Sequence, residues 1–334
     1  MKLDAGIASN LKGAAAGAAK LEQQGYDGAL SFETSHDPFF PLVSAAEETS
    51  QIELITSIAV AFSRTPMLLA NIGHDLNSLS EGRFIMGLGS QIRPHITKRF
   101  SMPWSEPANR MREFISAMRA IWACWHNGEP LDFRGDFYTH SLMTPMFTPE
   151  DTQYGAPKVF LAAVGPLMTQ VAGEVADGVI IHSFSTRKYI TDVTLPAIEK
   201  GLAKAGRDRS DFQVSYPCFV VTGNTEEEFL ATKTAVTKQI AFYGSTPAYR
   251  PVLEVHGWGD LQYELNKMSK QGLWDEMGTM ITDEILDEFA VVGETDEAVE
   301  KFKQRFDGLV DRTASNFAVR DAEHKQAVMQ KLKG

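Results

Sequence analysis

Short apolar runs recur along the chain, each ending in a polar loop that leads into residues with the apolar spacing of a helix. Lys2–Ala8 reads as a first strand, after which Ser9 or Asn10 caps an alanine-rich helix that runs through Gln24 and is ended by Gly25. DGALSF, Asp27–Phe32, reads as a second strand, followed by the loop ETSHDP and a helix over Pro41–Ser50. IELITSIAVA, Ile52–Ala61, has the β-branched composition of a third strand, and Pro66 opens a helix to about Leu79 at its favoured first-turn position. Gly82–Leu88 forms a fourth strand that stops abruptly in Gly89, Ser90, Gln91, Arg93 and His95. From Pro107 to Trp125 the residues Met111, Phe114, Met118, Ile121, Trp122 and Trp125 fall on one helical face, which predicts a core stripe.

Residues 127–157 interrupt this rhythm with Pro130, Gly135, Pro145, Pro149, Gly155 and Pro157, and FRGDFYTH within them reads as a small hairpin. Aromatic residues continue through the stretch, so it reads as an insertion. The rhythm resumes with strand KVFLAAV (Lys158–Val164), the helix of GPLMTQVAGEVA, strand GVIIH (Gly178–His182) and a helix over Thr186–Ala205. Phe212–Thr222 is the seventh strand, and Thr225 caps a helix carrying Glu226, Glu227 and Glu228 in its first turn. A helical insertion is expected at about 245–288, Thr295 is expected to cap a further helix, and Gly308–Phe317 is the eighth strand. The tail, Ala318–Gly334, reads as a solvated helix.

Eight strands alternating with helices predict the α/β class: a single (β/α)8 TIM barrel over residues 1–334, with the two insertions. A doubly wound sheet is the competing fold, but Gly6–Gly13 lacks the GxGxxG that such a sheet places after its first strand. Barrels gather ligand groups at the carboxyl ends of their strands. Here those ends carry Glu33–Asp37, Ser57–Phe62, Gly89–His95, Ala163–Pro166, His182–Ser185, Gly223–Asn224 and Asn316.

The formal net charge of −11 argues against sequence-independent nucleic-acid binding, which needs clustered Lys and Arg. No uncharged apolar run reaches the roughly 18 residues of a membrane span, and MKLDAGIASN is too short and polar for a secretory leader. A cytoplasmic protein without a membrane partner is expected. Cys124 and Cys218 lie in apolar surroundings without CxxC spacing and read as buried free thiols. No HExxH or GxSxG occurs, and no metal is expected.

Three of the eight histidines, His36, His95 and His182, fall at strand ends, where imidazole suits proton transfer near neutral pH. A structurally bonded loop histidine is the competing reading for each, and His36 with Asp37 equally suits a helix cap near Pro38. Glu33 suits either acid–base work or an ion pair. Arg93, Lys98 and Arg99 suit a phosphate or a solvated face, and Arg250 an anionic substrate or solvent. Phe62, Trp104, Tyr249 and Trp258 are candidates for an apolar pocket or for core.

GYDGALSFETSHDP, RTP with the helix to SEGRFIMGLGSQ, PKVFLAAVGP, AGEVADGVI and DEFAVVGETDEAVEKF occur in this order over nearly the whole chain. Together they resemble the luciferase-like monooxygenase superfamily, most closely the F420-dependent oxidoreductases of actinobacteria. The resemblance implies a barrel that binds coenzyme F420 or, alternatively, FMN. It implies a non-prolyl cis peptide at Ser57–Ile58 behind the ring and a ring-side acid at Glu33. It places Ser90, Gln91 and His95 on the phosphate-bearing chain or ring edge, and Ala163, Val164, Gly165 and Pro166 as a backbone wall where amides and the next helix N-terminus meet an anion. The chain departs from F420-dependent sugar-phosphate dehydrogenases at Thr34, Ile92 and Ser185, where they carry His, Glu and Lys, so sugar phosphate is not expected.

The function implied is hydride transfer between the deazaflavin C5 and a small organic substrate, with Glu33, His36 and His182 catalytic and Phe62 and Arg250 binding substrate. The alternatives are an FMN-dependent monooxygenase using O2 and a partner reductase, and a non-catalytic relative. Family analogy implies a homodimer.

Overall fold

In the computed structural model, which describes residues 1–334, the apolar runs become the parallel strands β1 (Lys2–Gly6), β2 (Gly28–Ser31), β3 (Glu53–Thr56) and β4 (Phe84–Gly89). They continue as β5 (Lys158–Ala163), β6 (Gly178–Ile181), β7 (Gln213–Ser215) and β8 (Arg312–Thr313). Neighbours in sequence pair in space, β8 lies against β1, and pairing of Leu54 with Phe84 closes the ring between β3 and β4. Helices α1 (Leu11–Gln23), α2 (Phe40–Glu47), α3 (Pro66–Leu79) and α4 (Pro107–Asn127) cover the first half. The second half carries α5 (Pro166–Val175), α6 (Leu195–Ala205), α7 (Glu226–Gly244) and α8 (Thr295–Phe306). This is the expected (β/α)8 barrel.

Strand alternation sorts the barrel interior into layers. At the amino end Arg312 is fully buried; its Nε and Nη2 donate to the two Asp4 oxygens at 2.9 and 2.7 Å, and Nη1 donates to Glu53 at 2.7 Å and Gln213 at 3.1 Å. Burial works against the guanidinium's charge, but the Asp4 and Glu53 carboxylates outweigh it and raise its pKa. Burial likewise opposes Glu53 ionisation, yet Arg312 and Lys2 hold its carboxyl below the usual range. The middle layer is apolar: Leu30, Ile55, Ile85 and Phe160, with Ile180 and Ala314 packed on them. Toward the carboxyl end the inward positions are Gly6 with the Phe32 ring against it, Ser57, Gly87, Ala162, His182 and Ser215, most of them small.

That upper layer is open. In β5, β6 and β7 the outward residues Leu161, Ala163, Val179, Ile181 and Val214 are buried under helices, while inward Ala162, Ile180 and Ser215 keep partial exposure. The carboxyl end of the barrel is therefore a mouth floored by apolar side chains.

At the opposite end a single device recurs. Asp27, Asp177 and Asp311 each stand one residue before β2, β6 or β8, and each Oδ2 accepts the amide of Leu3, Val159 or Val214 at 2.7 Å. Each carboxylate also meets a cation, Lys333, Arg119 or Arg209, at 2.8, 2.8 and 3.0 Å.

Four local expectations are corrected. Phe212–Thr222 is not one strand, because Pro217 has no amide to donate; β7 ends at Ser215, and Phe219–Val221 pairs instead with Ala290–Val292 in a separate sheet. Gly308–Phe317 pairs only over Arg312–Thr313. Thr295 does not cap α8: its hydroxyl donates to the Ala318 carbonyl at 2.7 Å. The tail helix α9 (Ala322–Lys333) is not fully solvated, since Val328, Met329 and Leu332 are buried in the main core.

Asn10 caps α1 and Thr225 caps α7. The α4 stripe from Met111 to Trp125 is buried. Residues 127–157 include an antiparallel hairpin, Phe133–Arg134 against Thr139–His140, and Glu113 on α4 accepts the amides of Asp136, Phe137 and Tyr138 at its turn. Arg250–Glu254, Gly259–Lys270, Trp274–Met277 and Asp283–Phe289 are short helices that build a second apolar cluster with α7 beside the end of β6. Cys218 is buried and Cys124 half-buried, both as free thiols. No helix is long and apolar enough to cross a membrane.

Candidate active site at the barrel mouth

Glu33 follows β2, and its side chain is 5% exposed. Its Oε2 accepts the Val60 amide and Arg64 Nη1, both at 2.7 Å, while Arg64 Nη2 reaches Asp37 at 2.8 Å. The carboxylate thus ties the loop after β2 to the turn after β3, the ion-pair side of its two readings. Asp37 also accepts the Phe39 amide at 2.9 Å, a local cap ahead of α2. His36 is exposed and lines a separate pocket of about 330 Å³ with Asn10 and Lys12.

The Ser57–Ile58 peptide is cis, as the resemblance implied. The Ser57 amide donates to the Ser31 carbonyl at 2.7 Å, and the Ile58 side chain lies where a Cβ on Gly89 would fall. Gly87 is equally constrained, since a Cβ there would run into the Thr56 carbonyl. Backbone approach thus requires the glycine at 87, and packing of the Ile58 side chain requires the one at 89.

After β4, Gln91 adopts a left-handed φ of 58° and its Oε1 accepts the Ile92 amide at 2.9 Å; Ser90 Oγ donates to the Gln91 carbonyl at 3.1 Å. His95 is exposed and opens a π-turn, His95–Arg99, whose Arg99 donates to the Thr34 carbonyl at 2.7 Å. The loops after β4 and β2 are thereby joined, while Arg93 and Lys98 remain on the exposed face.

Ala163 and Val164 lead from β5 into Gly165, which caps α5 without any side-chain bond. Thr169 supplies the first amide bonded back to Gly165, so the Leu167 and Met168 amides are free. A Cβ on Gly165 would meet nothing within 4 Å, and a pocket of about 500 Å³ opens there between Gly165, Pro166, Glu106 and Asn109. Free amides at the positive end of a helix dipole form a cradle for an anion.

His182 sits at the end of β6, two residues after inward Ile180. Its Nδ1 accepts the Phe184 amide at 3.0 Å, and burial pushes its pKa down to about 4. The Tyr243 ring meets it edge-on at 4.5 Å and the Tyr249 ring at 4.9 Å. Tyr249 thus reaches the mouth. Sequence reasoning misses Tyr243, because it follows Ile240, Ala241 and Phe242 in an apolar last turn where an aromatic ring reads as core.

Other candidates lie elsewhere. Phe62, expected against substrate, is fully buried, with Trp104 edge-on at 6.0 Å and the Arg110 guanidinium 4.4 Å from its ring. Arg250 lies over Tyr263 at 4.2 Å and pairs with Glu254 at 2.8 Å. Trp258 stacks on His256 at 4.5 Å. No group of three His, Cys, Asp or Glu side chains is placed to hold a metal ion.

The family model described as luciferase-like monooxygenase matches residues 3–312. An uncharacterised protein of Mycobacterium tuberculosis is 54% identical over 330 residues, covering 99% of this chain and 97% of the relative. The 5,10-methylenetetrahydromethanopterin reductase of Archaeoglobus fulgidus is 27% identical over 293 residues, covering 85% of this chain and 82% of the relative. Among solved structures, the coenzyme F420-dependent tetrahydromethanopterin reductase of Methanopyrus kandleri shares the fold, with a TM-score of 0.77 at 20% identity over 98% of this chain and 96% of that one.

Proposed function

The chain belongs to the luciferase-like monooxygenase family, and from that premise we propose that it is an F420-dependent oxidoreductase acting on a small organic substrate. The observation that carries this reading is the pairing of two features at one end of the barrel. A mouth lined by the partly exposed Ser57, Ala162 and Ser215, with Phe32 lying against Gly6, suits a flat ring, and the uncapped start of α5 suits an anionic tail. Relatives described as F420-dependent support the cofactor.

When bound, F420 supplies a two-electron hydride carrier at the deazaflavin C5. In this reading Ser57 and Ile58 back the ring, with Glu33, held by Arg64, at its side. Ser90, Gln91 and His95 hydrogen-bond the chain or ring edge, and Ala163, Val164, Gly165 and Pro166 form a backbone wall that leads to the free Leu167 and Met168 amides, which meet the phosphate. Of Glu33, His36 and His182, His182 is best placed to meet substrate, since Glu33 is bonded to Arg64 and His36 faces another pocket. FMN, whose phosphate suits the same cradle, is the second reading, with O2 and a partner reductase.

Fluorescence titration of the purified protein with F420 and, separately, FMN tests both. Micromolar or tighter F420 binding with weaker FMN binding is the expected result, and the reverse order overturns it in favour of the monooxygenase. The homodimer implied by the resemblance predicts a scattering mass near twice 36.9 kDa.

A further inference from the structure

The ring of His182 has one nitrogen committed and one free. The Phe184 amide can only donate, so Nδ1 is the acceptor, and a neutral imidazole must then carry its proton on Nε2. Nε2 has no hydrogen-bond partner in the protein, and the half-buried ring leaves this nitrogen accessible. The ring cannot swing away: Tyr243 abuts it edge-on at an interplanar angle of 85°, Tyr249 lies on the other contact, and Phe184 stacks on Tyr249 at 5.8 Å.

No charge is available beside this N–H. The depressed pKa of His182 arises from burial alone, with no charged neighbour contributing. Burial also raises both tyrosines, Tyr249 to about 12, so their hydroxyls stay neutral. Of the basic residues that follow His182 and Tyr249 in sequence, Arg187 donates to the Arg305 carbonyl, Lys188 is paired with Asp192 and Arg250 with Glu254, while Arg64 is paired with Glu33 and Asp37. An anion entering here would lose water without gaining a counter-charge, whereas a carbonyl or hydroxyl oxygen needs only one donor.

We propose that His182, fixed between Tyr243 and Tyr249, is a specificity-determining hydrogen-bond donor that selects an uncharged carbonyl or hydroxyl oxygen on an apolar body and rejects carboxylates and phosphates. This deepens the oxidoreductase reading and rests on it for the fate of the substrate, while the donor geometry is testable without the cofactor.

The test is ligand-observed NMR titration of the full chain with cyclohexanone and with cyclohexanecarboxylate, alongside imidazole 15N spectra. The expected result is a His182 ring protonated at Nε2, cyclohexanone binding at least tenfold tighter than the carboxylate, and at least tenfold weaker ketone binding in His182→Leu. His182→Gln, whose amide nitrogen reaches the Nε2 position, should restore most of the binding. A proton on Nδ1, preference for the carboxylate, no ketone binding, or unchanged ketone binding in a folded His182→Leu would each overturn the proposal. Should His182→Leu not fold, the wild-type spectrum and the wild-type ligand preference still decide. A parallel F420 titration separates the two readings: failure to bind F420 removes the cofactor assignment alone, and F420 binding with ketone binding indifferent to His182 removes this one alone.

Discussion

Asp177 and Val159 exchange two hydrogen bonds: the Val159 amide donates to Asp177 Oδ2 and the Asp177 amide to the Val159 carbonyl, both at 2.7 Å. Asp27 with Leu3 and Asp311 with Val214 repeat the exchange, so three of the eight inter-strand seams start from the same reciprocal pair.

Asp177→Ala removes an ionised acceptor and leaves the Val159 amide and the Arg119 guanidinium without it. The expected loss is about 1–3 kcal/mol of stability, with a smaller loss for Asp177→Asn, read from urea midpoints. Equal midpoints for wild type and Asp177→Ala would show that the seam closes without it.

Arg312→Met strands Asp4 and Glu53 in the barrel interior. Breaking one side of such a buried cluster is expected to cost about 3–5 kcal/mol, and Arg312→Lys to recover little because it lacks the planar fork that spans both Asp4 oxygens. Thermal melts of the two variants check this. A lysine variant as stable as wild type would refute the bidentate account.

Gly165→Asp separates cofactor binding from folding. Its φ of −80° suits any residue and its Cβ has room, so an Asp there caps α5 and is expected to raise stability by about 0.5–1 kcal/mol. The same carboxylate competes for the free Leu167 and Met168 amides, and F420 affinity is expected to fall at least tenfold. A variant that is more stable yet binds F420 normally would move the phosphate elsewhere.

Acid stability reports on His182. With a folded pKa of about 4 against the 6.5 of an ordinary imidazole, the unfolded chain takes up a proton that the folded one refuses. Stability is therefore unaffected above about pH 6.5, falls as pH drops from there to 4, and levels below it, by up to about 3 kcal/mol from this residue. His126, His140 and His256, also lowered first by burial, act in the same direction. Denaturation series at pH 7 and pH 4.5 should show a smaller drop for His182→Gln than for wild type; an identical drop would mean that His182 titrates normally.

Strands and helices are legible because each is a local pattern: β-branched runs, alternation and helical spacing depend only on near neighbours. The Trp122 stripe, the Asn10 and Thr225 caps and the hairpin around Gly135 all follow from such patterns. The errors at Phe212–Thr222 and in α9 have local signals too, Pro217 in one and the spacing of Val328, Met329 and Leu332 in the other. In both places the apolar or charged composition around them outweighs those signals.

The sequence by itself determined the repeating strand–helix order, the family resemblance and the loops that would meet at one end. It did not determine what those loops do to one another. Glu33 and Arg64 are 31 residues apart, while Tyr243 and Tyr249 arrive over His182 from beyond a whole further strand. Whether a carboxylate is free or bonded, and whether an imidazole is wet or buried, depends on ring closure and strand stagger. Those are set by the packing of all eight strands together, which no local spacing encodes.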